Sequence, residues 1–91
     1  MTAVHVIVEG RVQGVGFRAW VEREAKDRRL SGWVRNRGDG AVEAVFSGAD
    51  AQVRSMVEAC HRGPCLGFVQ SVKTSIHPDE NWTEFVIWAT D

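Results

Sequence analysis

No stretch of this 91-residue chain is apolar for long enough to cross a bilayer or to form the apolar part of a signal peptide. Met1 leads almost directly into a strand-like pattern, so the expected location is the cytoplasm. Charge of one sign is also lacking. Eleven basic and 12 acidic residues are interspersed and leave a formal net charge of -1. That balance excludes a nucleic-acid surface built on bulk charge and a polybasic membrane patch, so any anion site must be local. Cysteine is scarce, with two residues at Cys60 and Cys65. They could cross-link only after a modest rearrangement, and free thiols in a reducing compartment are the expected state. With His61 they offer soft ligands, but the spacing matches no standard zinc pair and no second pair exists, so no metal is expected.

A chain of this length is expected to form one domain over 1–91, burying about 60 to 65% of the surface that its unfolded form exposes. Val4, Val6 and Val8 alternate with His5, Ile7 and Glu9, the period of a strand with one strongly apolar face. From Phe17 the apolar positions Phe17, Trp20, Val21 and Ala25 follow helical spacing, and the pattern fades near Arg28. Trp33 to Asn36 reads as a second strand, Gly38-Asp39-Gly40 as a hairpin turn, and Val42, Ala44 and Phe46 as a third strand. Val53, Met56, Val57 and Cys60 mark a second helix that Gly63-Pro64 closes. Val69 and Val72 suggest a fourth strand, but both can face one side only if a bulge intervenes. Phe85 and Ile87 mark a last strand. The order βαββαβ with a further C-terminal strand predicts an α+β, ferredoxin-like sandwich. Two helices would cover one face of an antiparallel sheet and leave the other face to water.

Chemistry concentrates in "GRVQGVGFR", Gly10 to Arg18. A glycine-rich turn between a strand and a helix can aim successive backbone N–H groups into one concavity, and the helix start adds unpaired donors and the positive end of its dipole. Arg18, in the first helical turn, adds a guanidinium fork that matches phosphate or carboxylate oxygens. The loop N–H groups of Gln13, Gly14, Val15, Gly16, Phe17 and Arg18 are thus the candidate anion cradle, for a phosphate or a carboxylate. A dinucleotide fingerprint is excluded because the third glycine is missing, and a P-loop because no Gly-Lys-Ser/Thr follows. Gly16-Phe17 does not extend into an aromatic RNA-binding signature either. His5, His61 and His77 are scattered along the chain and read as solvated or structural. Trp20 and Trp33 fall in core-compatible elements and Trp88 ends a strand. Arg28, Arg29, Arg35 and Arg37 read as solvated charges, and Arg35 or Arg37 could also steer an anionic ligand.

Together with "GWVRN" at Gly32 to Asn36, "DGAVE" at Asp39 to Glu43 and "RGPC" at Arg62 to Cys65, the glycine stretch resembles the acylphosphatase family, in order and almost without gaps to about Val72. The resemblance implies a small metal-independent hydrolase that splits the carboxyl–phosphate bond of an acyl phosphate. It implies Arg18 as the residue that binds the phosphoryl group and Asn36 as the one that orients the attacking water. Inorganic phosphate would then be both product and inhibitor, and the enzyme would work as a monomer, without nucleic acid or membrane partners. The alternative is a non-catalytic anion- or carbamoyl-phosphate-binding module of the kind found inside larger maturation enzymes. Met1 to Asp91 reads as a complete domain with no zinc-finger or transferase segment attached, which favours the hydrolase. One departure from the family pattern stands out: Arg28-Arg29-Leu30 replaces the Leu-Gly-Leu that often precedes the second strand, so the first helix lacks its usual terminal glycine.

Overall fold

The structure, a computed structural model, describes residues 1–78 and 81–90. Strand β1 (Thr2–Arg11) runs into helix α1 (Phe17–Asp27), then β2 (Ser31–Asn36), β3 (Val42–Gly48), helix α2 (Asp50–Arg62), β4 (Phe68–Ile76) and β5 (Phe85–Ile87). The strands form one sheet in the order β4-β1-β3-β2-β5, the expected ferredoxin-like arrangement. Four strands pair antiparallel, whereas β5 joins β2 in parallel and makes the sheet mixed. No helix among the described residues is long and apolar enough to cross a membrane.

Strand alternation and helical spacing supply one core between the sheet and the two helices. Val6 and Val8 from β1, Val34 from β2 and Ala44 and Phe46 from β3 meet Phe17, Val21 and Ala25 of α1 and Val53, Met56 and Cys60 of α2. The bulge demanded by Val69 and Val72 is present. Glu9 pairs with Ser71 and the next residue, Gly10, pairs with Val69, so Gln70 is the extra residue. Both valines thereby pack against the same core. Cys60 and Cys65 are free thiols, and burial pushes the Cys60 thiol up to about 12.

The end of α1 shows what the missing glycine costs. Arg29 has φ 57°, its N–H donates to Lys26 O at 3.0 Å, and the Leu30 N–H reaches back to Ala25 O at 2.9 Å. This is a Schellman motif with an arginine in the left-handed position that glycine occupies without strain. Arg29→Gly should therefore raise stability by up to about 1 kcal/mol, seen as a melting temperature up to about 8 °C higher. Activity should not change, because the motif closes the helix end remote from the glycine loop. A clear fall in melting temperature would contradict the strain.

The helix-free face departs from the expectation that it meets water. Trp33, Val45 and Ser47 point away from the core, yet they are 6%, 0% and 1% exposed. Over Trp33 and His5 the cover comes from the chain after β4. Trp88 stacks on Trp33 with centroids 4.3 Å apart and planes 6° apart, and the Arg35 guanidinium lies over both rings. His77 stacks on His5 at 6.2 Å and approaches Trp82 at 5.5 Å. Arg35 also corrects its own reading as a solvated charge, because its Nε donates to Glu43 Oε1 at 2.8 Å.

Glu43 bonds His5 Nε2 at 2.6 Å through its other oxygen. Burial raises its pKa, but the hydrogen bonds and charges of His5 and Arg35 outweigh that and hold it below the ordinary glutamate value. A carboxyl whose pKa is depressed on folding stabilises the native state above its unfolded pKa, and that stability is lost as pH falls through the folded value. Glu43→Gln should thus cost about 1 to 3 kcal/mol at neutral pH and shrink the stability lost on acidification below about pH 4.3. Urea melts at pH 7 and pH 3 measure both. An unchanged acid limb would show that the Glu43 cluster carries no linked proton.

Candidate active site

The glycine loop is pinned at both ends by core residues. Val12 and Phe17 are each 1% exposed, so the four residues between them must span from strand end to helix start in a fixed gap. Gly14 and Gly16 make that possible with φ 76° and 77°, both left-handed. An added Cβ at either would meet nothing within 4 Å, so it is the backbone conformation that calls for glycine, and the space beside them is open.

Gly16 is the N-cap of α1 and offers no capping side chain, and the first turn holds no acidic residue. The first intrahelical bond runs from Trp20 N–H to Gly16 O at 3.0 Å. The N–H groups of Phe17, Arg18 and Ala19 therefore have no acceptor within the helix, and they sit at its positive end. Arg18 is half-buried in this turn, and among the described residues its guanidinium has no carboxylate or other hydrogen-bond partner. A cation and several backbone donors thus converge with no protein anion among the described residues to answer them.

Asn36 closes the other side. It is the last residue of β2 and pairs with Val42 of β3. Among the described residues its Oδ1 is a buried acceptor without a hydrogen-bond partner. Such an orphan costs about 1 to 3 kcal/mol, and native structures keep few of them. Asn36, Arg18, Gly14, Gly16, Phe17 and Ala19 line one cavity of about 260 Å³, with Val12 and Ile87 as its apolar wall. The opening is sized for a small ligand, and its chemistry suits an anion with a water beside it.

A larger hollow of about 880 Å³ lies between α2 and the β1–β4 side of the sheet. It is lined by the acidic Asp50 and Glu58 and by the basic Arg54 and Arg62, so its formal charges balance. Size therefore does not choose between the two; the smaller cavity is the candidate because Arg18 and the buried Asn36 Oδ1 both lack a partner there among the described residues.

Most of the residues singled out in the sequence come together here. Gly14, Gly16, Phe17, Arg18 and Asn36 line the cavity, although the Phe17 ring belongs to the core and only its backbone can serve a ligand. Gln13 and Val15 do not line it. The Gln13 side chain is engaged with the β2–β3 turn, and Val15 packs against the core. Val12, Ala19 and Ile87, which also line the cavity, were not singled out in the sequence. The N–H of Ala19 is the third of the unpaired helix donors and follows from helix geometry, whereas Ile87 reads in sequence as an ordinary strand residue.

A family model described as Acylphosphatase matches residues 4–87. An acylphosphatase of Azorhizobium caulinodans is 49% identical over 73 residues, covering 80% of this chain and 78% of the relative. One of Haloarcula marismortui is 46% identical over 86 residues, covering 94% of each. The crystal structure of an acylphosphatase from Bacillus subtilis superimposes with a TM-score of 0.94 at 40% identity, over 97% of this chain and 99% of that one.

Proposed function

Because the chain belongs to the acylphosphatase family, hydrolases that split acyl phosphates into a carboxylate and inorganic phosphate, we propose that its reaction takes place in the cavity between the glycine loop and Asn36. The observation that carries this reading is the pairing, in one small cavity, of an arginine and a buried amide oxygen that both lack a hydrogen-bond partner among the described residues. The phosphoryl oxygens lie against the loop and first-turn N–H groups, with the Arg18 guanidinium forked onto two of them. Negative charge that spreads over those oxygens in a loose transition state meets donors already in place.

The Asn36 amide oxygen accepts a hydrogen from the attacking water and holds its oxygen in line with the bond to be cleaved. A neutral amide cannot take the proton, so a phosphoryl oxygen of the substrate receives it as the water O–P bond forms. The bond from phosphorus to the acyl oxygen breaks at the same time. Its leaving group is a carboxylate whose conjugate acid has a pKa near ~4, so no general acid is needed. Positioning and charge stabilisation suffice, without a cofactor or metal.

We further propose that one domain over 1–91 acts as a monomer, since a single chain supplies every candidate residue, and that it works in the cytoplasm. A non-catalytic anion-binding module is the weaker reading, since the likeness runs the full length of catalytic relatives. The test is a phosphate titration followed at backbone amides, alongside benzoyl phosphate hydrolysis in a chelator. Turnover should persist, phosphate should inhibit competitively, and the largest shifts should fall at Gly14 to Ala19 and Asn36. Shifts confined to the α2–β4 hollow would move the site there.

A further inference from the structure

The Gln13 side chain points out of the phosphate loop and bonds the neighbouring hairpin. Its Nε2 donates one hydrogen to Arg37 O at 2.8 Å and the other to Ala41 O at 2.9 Å. Those carbonyls close the β2–β3 turn: Arg37 N–H donates to Ala41 O at 2.8 Å and Gly40 N–H to Arg37 O at 3.2 Å. Arg37 follows Asn36 directly in the chain. We propose that Gln13 is a positioning residue, a brace that fixes the phosphate loop relative to Asn36; this rests on the roles given to Arg18 and Asn36 above.

The need for a brace comes from the topology. The loop continues β1, Asn36 ends β2, and β3 lies between those strands, so no ladder hydrogen bond joins the two halves of the site directly. In-line attack depends on the separation between phosphorus and water, and a misplacement of about 1 Å can cost about 100-fold in rate. A primary amide suits the task because it carries two hydrogens on one nitrogen at a fixed angle, enough for two carbonyls at once. Since both acceptors are carbonyls, the assignment of that atom as nitrogen follows from the contacts themselves.

The fold does not depend on the brace. Arg37 O and Ala41 O each have a backbone donor besides Gln13, so a variant without the amide leaves neither carbonyl unpaired. Gln13→Met keeps the length of the side chain and removes both donors, and Gln13→Ala removes them without filling the space. Each should melt as a folded protein. With benzoyl phosphate, kcat should fall about 10- to 100-fold while the inhibition constant for inorganic phosphate stays within about twofold, because the loop and Arg18 still bind the anion.

A merely structural role is separated by a double-mutant cycle. If Gln13 works through Asn36, adding Gln13→Met to Asn36→Ala should lower kcat by less than about twofold further. Native kcat in either folded single variant, a matching loss of phosphate affinity, or additive losses in the cycle would each overturn the brace. Activity retained in Arg18→Ala would instead overturn the site reading beneath it, whatever Gln13 does.

Discussion

Arg18→Ala should lower kcat/KM for an acyl phosphate by about 30- to 1000-fold, a loss of about 2 to 4 kcal/mol in transition-state stabilisation, and should weaken inhibition by inorganic phosphate as well. Arg18→Lys should recover little. Lysine keeps the charge but presents one compact ammonium in place of a planar fork, and it cannot make two parallel bonds to phosphoryl oxygens from the first helical turn. The fold should tolerate both changes. Among the described residues the guanidinium has no partner to lose, and a cation at the positive end of α1 is unfavourable in the free protein. Unfolding midpoints should therefore stay level or rise for Arg18→Ala. Measuring kcat/KM beside those midpoints separates chemistry from folding, and near-native turnover in a well-folded Arg18→Ala protein would remove the arginine from the site.

How much of this could be read in the sequence depends on how far apart the cooperating residues lie. The geometry of the glycine loop was legible because its parts are consecutive: glycines that accept positive φ, a helix start and a first-turn arginine lie within nine residues. The same locality revealed Arg29, where a helix end required a left-handed residue, and the bulge at Gln70, where two valines could not otherwise share a face. Asn36 is different. Nothing beside it marks it as functional, and its place opposite Arg18 follows from a strand order that local periodicity does not encode, so only the family resemblance reached it. Ile87 escaped notice for the same reason, because it joins the cavity through the parallel pairing of β5 with β2. The covered helix-free face was also hidden. Alternation reports that Trp33 and Val45 point away from Val34 and Ala44, but not that a later residue, Trp88, stacks on Trp33. Gln13 lay within the legible motif, yet its side-chain partners are 24 and 28 residues away, so only its backbone contribution could be foreseen.

Asn36→Ala should separate water positioning from phosphate binding. With the amide gone, nothing on the β2 side of the cavity holds the nucleophile in line, and kcat should fall by at least about 100-fold, a loss of positioning that appears in kcat because the contact matters most in the transition state. Inhibition by inorganic phosphate should change little, since the loop, the first-turn N–H groups and Arg18 are untouched. Stability should hold or improve, because the variant deletes a buried acceptor that has no partner among the described residues. Asn36→Asp makes the complementary test. It preserves shape but sets a carboxylate against the phosphoryl oxygens, so it should lose phosphate affinity as well as turnover, and more severely at low ionic strength where repulsion is less screened. If Asn36→Ala weakened phosphate inhibition and kcat in equal measure, the asparagine would belong with Arg18 as a phosphate ligand, and the attacking water would need a different holder.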